Sequence, residues 1–269
     1  MARAAVHTQS VTDTSDFAAP LTPPRHTEWY TGTVTDVIRE TAYAKTLVLD
    51  VPGWPGHAAG QHVDVRLGAD NGHLTQRSYS IASEPSRSTL AITIERLDNG
   101  KASAYLTDAL GVGDRIELRG PIGAYFVWEP SMGGPLFLVA GGSGIVPLMA
   151  ILRARATAEL AVRNDTPATL LYAARSWDDV IYRDEVLRLA ADGSVRIVQT
   201  LTRAQPPGWG GFTRRIDADM LAEVAPDPSL RPHIYISGPS ALVETVSQVL
   251  LEFGHEPARV RTERFGSVR

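Results

Sequence analysis

A glycine-rich loop follows a continuous apolar segment in the second half of the chain. The loop contains Gly141, Gly142, Ser143 and Gly144, and Pro147 stands in the first turn of a predicted helix. Glycines let the backbone approach a phosphate closely, and a helix N-terminus offers free N–H groups and a positive dipole end. Proline suits the first helical turn, because the N–H that it lacks would have no partner there. The loop therefore predicts a phosphate-containing ligand, although a turn without any ligand could have the same sequence.

Other glycine-loop motifs fit this segment less well. The loop has neither the G-x-G-x-x-G spacing of the dinucleotide fingerprint nor the terminal Gly-Lys-Ser/Thr of a P-loop. Ser143 resembles the nucleophile of a G-x-S-x-G hydrolase elbow, but Ile145 stands where that motif requires its last glycine. Only His233 and His255 remain downstream to complete a triad. The elbow therefore fails, and a hydrolase is kept only as the weaker alternative.

A second chemical segment, Arg77-Ser78-Tyr79-Ser80, lies in the first half of the chain. Alternation along a strand puts Arg77 and Tyr79 on one face and Ser78 and Ser80 on the other. An arginine can neutralise a diphosphate, an aromatic ring can stack on a flat heterocycle, and a hydroxyl can bond a ring nitrogen. Taken alone, the segment could equally be an ordinary polar strand.

Composition limits the chemistry that remains. The 269 residues include no cysteine, which excludes thiolate nucleophiles, disulfides and thiolate-bound iron–sulfur clusters within this chain. The seven histidines show no close metal-ligand spacing, so we predict no metal site. A net charge of −4 gives no support to nucleic-acid binding. No apolar run approaches the roughly 20 residues that span a bilayer, and the first ten residues lack a secretory core, so we expect a cytoplasmic protein without a membrane span.

The elements that carry these segments fall into two halves. Residues 1–26 are rich in Thr, Ser, Ala and Pro and predict a disordered tail. Residues 27–128 contain short β-prone runs separated by Gly and Pro, which are typical of a closed or nearly closed antiparallel barrel. We predict strands at 30–39, 45–51, 62–67, 76–82, 89–96 and 114–118, with one helix at 102–110.

Residues 135–269 change to alternating strands and helices, which indicates a doubly wound α/β domain with a parallel sheet. The predicted strands are 136–140, 169–174, 195–201, 233–237 and 258–262. Helices are predicted at 146–156, at 179–190 with Asp178 as its N-cap, and at 240–253.

Six segments in order resemble those of the ferredoxin–NADP reductase superfamily, in which a flavin-binding barrel precedes a nicotinamide-nucleotide domain. Two are the segments described above, which resemble the R-x-Y-S flavin motif and the G-G-x-G-x-x-P nucleotide loop. The other four are Gly100-Lys101-Ala102-Ser103, Gly120-Pro121-Ile122-Gly123, Ser237-Gly238-Pro239 and Glu263-Arg264-Phe265-Gly266. The resemblance runs from about residue 28 to residue 266.

The resemblance implies FAD held between the two domains. Tyr79 would lie against the isoalloxazine, and Ser80 near its reactive nitrogen. Phosphates of the flavin would be held by Arg77 and by the segment from Gly100 to Ser103. Ser237, Gly238 and Pro239 would contact the nicotinamide. Glu263 would link the site to solvent for protons, and Phe265 would cover the flavin ring. Serine at position 237 replaces the usual cysteine of the family, which leaves its effect on rate open.

The choice of nucleotide depends on arginines and hydroxyls after two strands of the second half. Arg175-Ser176 follows one strand and Thr202-Arg203 the next, with Arg214 and Arg215 nearby. Because a 2′-phosphate is usually bound by such groups, the pattern favours NADPH, with NADH as the alternative.

We therefore predict an NAD(P)H-dependent flavoprotein reductase that stands alone, without an iron–sulfur domain. A hydride would pass from NADPH to FAD, and electrons would continue to a separate protein. That acceptor could be ferredoxin-like, a haem protein or a molybdenum-cofactor protein. A flavin- or nucleotide-binding regulatory module without turnover remains the main alternative.

Overall fold

Six antiparallel strands and one helix make up the described residues of the first half of the protein. The computed structural model describes residues 28–68, 74–85, 89–97 and 100–265; the predicted tail at 1–26 and Gly266 lie outside them. The strands are β1 Tyr30–Arg39, β2 Ala44–Asp50, β3 His62–Gly68, β4 Leu74–Ser80, β5 Leu90–Glu95 and β6 Arg115–Ile122, and helix α1 is Lys101–Asp108. They form one sheet in the order β4-β3-β6-β1-β2-β5.

The sheet curls into a barrel whose edge strands β4 and β5 meet at one end. Ile81, just after β4, forms an isolated bridge with Ile92 of β5, and Ala82 N donates to Ala91 O at 2.7 Å. Ile81 and Ile92 are fully buried in the barrel core. The nearly closed barrel expected from the sequence is confirmed, and the residues after the Arg-Ser-Tyr-Ser segment make its closing contact.

The second half contains a five-stranded parallel sheet with helices on both faces, which confirms the doubly wound α/β prediction. Its strands are β7 Leu136–Gly141, β8 Ala168–Ser176, β9 Arg196–Ala204, β10 His233–Pro239 and β11 Val260–Phe265, in the order β11-β10-β7-β8-β9. The helices are α2 Ile145–Thr157, α3 Leu160–Asn164, α4 Arg183–Ala191, α5 Ala218–Val224 and α6 Ser240–Glu252. Two separate apolar clusters cover the two faces of the sheet.

Several elements differ from the sequence-based expectations. The prediction that Asp178 caps a helix is wrong, because it lies in a short 3-10 turn and α4 begins only at Arg183. The buried Val180 and Ile181 stand between turn and helix, and Tyr182 then takes a left-handed conformation with φ 58°.

Strand β11 begins and ends later than predicted, so that Glu263 lies within the strand. Helices α3 and α5 were not predicted, since 5 and 7 residues are too few to show a helical period.

Arg153 of helix α2 ties the two halves together. Its guanidinium Nε donates to Glu185 of α4 at 3.0 Å, and Nη1 donates to the carbonyl of Ala82 at the barrel's closing contact. The same guanidinium lies 4.7 Å from the ring centroid of Tyr182. The helix that follows the glycine loop is thus anchored to the end of the Arg-Ser-Tyr-Ser strand.

A chain of buried hydroxyl groups continues this contact into the barrel. The Tyr182 hydroxyl hydrogen-bonds Thr93, Thr93 bonds Thr46 at 2.7 Å, and Thr46 donates to the Glu40 carboxylate at 2.7 Å. Burial raises the pKa of Glu40. The unfavourable conformation of Tyr182 therefore places its hydroxyl in a polar contact between the domains.

Candidate active site between the two domains

The glycine loop forms one 3-10 turn between the fully buried strand β7 and helix α2. Gly142 has φ 55°, a conformation that glycine adopts without strain. A β carbon on Gly144 would lie 2.0 Å from the carbonyl oxygen of Ser237. The loop therefore packs directly on the end of β10, and a side chain at Gly144 would push the two apart.

The end of β10 carries the Ser237-Gly238-Pro239 segment. A β carbon on Gly238 would lie 3.1 Å from both the N and the O of Gly141. One on Gly141 would lie 3.1 Å from Pro239 Cδ. The two predicted nucleotide-binding segments thus form one close-packed surface at the carboxyl edge of the sheet, where ligands of open α/β sheets bind.

Ser80, Glu263 and Ser237 come together where this edge meets the barrel. Ser80 Oγ donates to Glu263 Oε1 at 3.5 Å, the outer limit of a hydrogen bond. Glu263 on β11 is in register with Ser237 on β10. Burial raises the pKa of Glu263 to about 7, so a large fraction of this carboxyl is protonated at neutral pH.

Two buried polar atoms in this group have no hydrogen-bond partner among the described residues. They are Ser237 Oγ and Glu263 Oε2. Buried polar groups in native proteins are nearly always satisfied, so these atoms fit a site completed by a ligand with hydrogen-bonding groups. A flavin and a nicotinamide amide both offer such groups.

The other residues of the Arg-Ser-Tyr-Ser segment take different roles. Arg77 is exposed, and its guanidinium donates to the carbonyl of Gln76 at 2.7 Å; among the described residues no carboxylate neutralises its charge, which suits an anion. Ser78 Oγ donates to Asp64 at 2.7 Å on the outside of the barrel. Tyr79 is half-buried against the barrel core, and burial raises the pKa of its phenol to about 12.

The Gly100–Ser103 segment opens helix α1, and Gly100 is its N-cap without any side-chain cap. The Ser103 hydroxyl accepts from Leu97 N at 3.1 Å and donates to Gly100 O at 3.0 Å. Ser103 therefore closes the loop, which leaves the backbone N–H groups of the first turn as anion donors. Lys101 is exposed beside them and Ala102 is half-buried.

Phe265 is half-buried at the end of β11, in register with Pro239. The structure thus brings it to the same edge as the glycine loop. Its predicted place over a flavin ring stays a prediction.

The structure places Arg175 and Ser176 at the end of β8, and Thr202 and Arg203 just before the last residue of β9, so all four lie within the strands rather than after them. The strands run side by side there, with Ser176 paired to Ala204. Neither Arg175 nor Arg203 forms a salt bridge within the described part of the chain.

The neighbouring Arg214 is less available to bind a phosphate than Arg175 and Arg203, since it is paired with Asp217 at 2.7 Å. Arg215 is exposed. The exposed, unpaired arginines at the strand ends are therefore the better candidates for an anionic group.

Two features of this edge were not found from the sequence. Glu95, the last residue of β5, accepts a hydrogen bond from Ser143 N at 3.3 Å. The rings of Trp177 and Trp209 meet edge to face, with centroids 5.7 Å apart, beside the ends of β8 and β9. Both contacts join residues far apart in the chain, and no local pattern indicates them.

The described residues hold no group of three or more His, Asp or Glu side chains suited to a metal ion. None of their helices is long and apolar enough to cross a bilayer.

Comparison with known proteins places both halves in known domain families. Residues 32–127 match the oxidoreductase FAD-binding domain, and residues 138–248 match the oxidoreductase NAD-binding domain. The chain is 31% identical over 215 residues to NADH-cytochrome b5 reductase 1 of Aspergillus terreus, covering 78% of this chain and 71% of that protein. It is 35% identical over 218 residues to ferredoxin–NADP reductase B of Sorangium cellulosum, covering 77% and 84%.

A solved structure agrees with these matches. The FAD/NAD-binding domain of nitric oxide dioxygenase from Vibrio cholerae superposes with a TM-score of 0.76 at 25% identity, covering 88% of this chain and 99% of that one.

Proposed function

Because the chain belongs to the ferredoxin–NADP reductase superfamily of NAD(P)H-dependent flavoprotein reductases, we propose that it transfers a hydride from NADPH to FAD and passes electrons to a separate protein. The observation that carries this proposal is the group of Ser80, Glu263 and Ser237 where the barrel meets the nucleotide domain, in which two buried atoms lack a hydrogen-bond partner among the described residues. When bound, FAD supplies the capacity to accept a hydride and to release electrons one at a time.

Arg77 and the first turn of α1 are the proposed holders of the flavin phosphates. Arg77 carries a charge without a carboxylate partner in the described residues, and α1 presents free N–H groups next to Lys101. An arginine together with a helix N-terminus suits a diphosphate better than a single phosphate. Tyr79 and Phe265 would bind the flavin ring.

Glu263 and Ser80 would hold and move a proton. With a pKa near 7, Glu263 can both keep and release a proton at neutral pH. The Ser80 hydroxyl donates to this carboxyl, so it would relay a proton between Glu263 and the flavin. Ser237 Oγ, fully buried and unpartnered among the described residues, would orient the nicotinamide amide.

We propose NADPH as the preferred nucleotide. The diphosphate would bind at the glycine loop. The extra 2′-phosphate would bind at the ends of β8 and β9, where Thr202 offers a hydroxyl and where Arg175 and Arg203 carry positive charge without a salt bridge among the described residues.

A separate protein is the proposed electron acceptor. Relatives of this chain are named as reductases of cytochrome b5, as a ferredoxin–NADP reductase and as the reductase subunit of a glycine betaine monooxygenase. These names favour an iron–sulfur or haem protein as the electron acceptor. A molybdenum-cofactor protein is the third class of acceptor that the sequence predicts. Cytoplasmic location also stays a prediction from the sequence.

Visible spectroscopy of the purified protein tests the proposal. The protein should be yellow, and its flavin absorbance should fall when NADPH is added without oxygen. A yellow protein that NADPH and NADH both leave unreduced would instead favour a regulatory module without turnover. A colourless protein that gains no flavin absorbance when FAD is added would overturn the proposal altogether.

A further inference from the structure

Glu95 reaches from the barrel to the glycine loop of the other domain. Its Oε2 accepts a hydrogen bond from the backbone N–H of Ser143 at 3.3 Å. A β carbon built on Gly142 would lie 3.7 Å from the same oxygen. The carboxylate therefore lies within hydrogen-bonding distance of the backbone of the loop that is proposed to bind the nucleotide diphosphate.

No cation neutralises this carboxylate within the described residues. Arg96, the next residue, forms its salt bridge with Asp108 at 2.9 Å instead. Ser143 N–H is the hydrogen-bond donor that the structure assigns to Glu95. A negative charge is stabilised at the start of a helix, so Glu95 occupies the position that favours an anion.

We propose that Glu95 competes with the nucleotide diphosphate for the glycine loop and thereby weakens nucleotide binding. A diphosphate and a carboxylate repel each other, and one N–H cannot donate fully to both. This inference rests on the proposed role of the loop. Since NADH and NADPH share the diphosphate, Glu95 lowers the affinity for both, in contrast to a residue that contacts only the 2′-phosphate.

Glu95→Gln separates charge from shape, because glutamine keeps the size of the side chain and an acceptor oxygen. The dissociation constants of NADP+ and NAD+ are measured on the FAD-containing protein by isothermal titration calorimetry. We expect both nucleotides to bind about 10-fold more tightly to the variant. Glu95→Ala, which also removes the acceptor, should bind them at least as tightly as Glu95→Gln.

The salt dependence of the nucleotide dissociation constants distinguishes charge repulsion from a structural effect of the substitution. Repulsion between partly exposed charges is screened, since the Debye length falls from about 30 Å at roughly 0.01 M salt to about 3 Å at roughly 1 M. The difference between wild type and Glu95→Gln should therefore shrink across this range. Glu244→Gln changes the net charge equally at an exposed position of α6 and should leave both dissociation constants unchanged.

A second variant distinguishes failure of this inference from failure of the proposed nucleotide site. Ser143→Pro removes the backbone N–H that would bind the diphosphate, and its dissociation constant for NADP+ is measured. In the wild-type protein, inorganic pyrophosphate is added as a competitor of NADP+ for the same loop. If either result shows that the loop binds diphosphate while Glu95→Gln leaves the affinity within about twofold of wild type, the role of Glu95 is overturned. If neither Ser143→Pro nor pyrophosphate alters NADP+ binding, the nucleotide site itself is placed wrongly.

Discussion

Ser80 Oγ lies 3.5 Å from Glu263 Oε1, although 183 residues separate the two along the chain. Ser80 ends strand β4 of the barrel, and Glu263 lies within the edge strand β11 of the parallel sheet. The contact therefore depends on how the two domains are docked. It joins a hydroxyl and a carboxyl whose pKa is raised to about 7 by burial.

Removal of the Ser80 hydroxyl should slow flavin reduction without loss of flavin. Ser80→Ala should keep FAD occupancy near wild type, while reduction by NADPH slows by about 10²-fold, the scale for one catalytic hydrogen-bond donor. Stopped-flow absorbance measures the rate. Ser247→Ala, whose hydroxyl bonds within α6, is the control at the wild-type rate. A Ser80→Ala variant that holds FAD and reduces at the wild-type rate would remove Ser80 from the mechanism.

Because of Glu263, the free energy of unfolding should fall as the pH rises towards neutrality. Its pKa is about 7 in the folded protein and 4.5 as the ordinary value, so the unfolded chain loses this proton first as pH rises. The Glu263 contribution to stability therefore falls between about pH 4.5 and 7, by about 3 kcal/mol at most. Glu263→Gln should gain stability relative to wild type from pH 5 to pH 8, measured by urea unfolding with saturating FAD. A difference that is constant across this range would contradict the raised pKa.

The sequence predicted the fold because the decisive patterns are local. Strand β7 is an uninterrupted apolar run that is buried at every position, and the glycine loop and Pro147 stand directly after it. The barrel strands carry short alternating runs between Gly and Pro. Helices α3 and α5 were not predicted because they are too short to show a helical period of apolar residues in the sequence.

Contacts across the domain boundary could not be predicted in this way. The bond from Ser143 to Glu95 depends on the docking of the domains, and the left-handed conformation of Tyr182 depends on the partner of its hydroxyl. Asp178 looked like a helix cap because its sequence context is suitable. The buried Val180 and Ile181 move the helix start to Arg183.

Arg77 should contribute to FAD affinity through charge. Arg77→Gln removes the guanidinium but keeps a polar side chain, and a charge-assisted contact is worth about 1.5–3 kcal/mol. The dissociation constant of FAD should therefore rise by about 10-fold or more, as measured by fluorescence on re-addition of FAD to the stripped protein. FMN bound as tightly as FAD by the wild-type protein would contradict a diphosphate site at Arg77.

Arg153 should be a main stabilising link between the domains. Its ion pair with Glu185 is only about one-quarter exposed on either side, and Arg153→Met would leave Glu185 without its cation and Ala82 O without its donor. We expect a loss of about 2–4 kcal/mol in the free energy of unfolding. Arg183→Met is the matched control, because its pair with Asp178 is 3.7 Å long and largely exposed, which is worth about 0–1 kcal/mol. Equal losses in the two variants would show that the contacts of Arg153 stabilise the protein no more than an exposed ion pair does.

Arg203 should discriminate between the two nucleotides. It is exposed at the end of β9 without a salt bridge among the described residues, whereas nearby Arg214 is held by Asp217. Loss of a charge-assisted contact with the 2′-phosphate removes about 1.5–3 kcal/mol, so Arg203→Ala should lower kcat/KM for NADPH by roughly 10-fold or more. The same variant should leave kcat/KM for NADH almost unchanged, because NADH has no 2′-phosphate. Arg115→Ala, an exposed arginine on the barrel, controls for the loss of one positive charge. Equal losses with NADPH and NADH would show that Arg203 acts on a part common to both nucleotides.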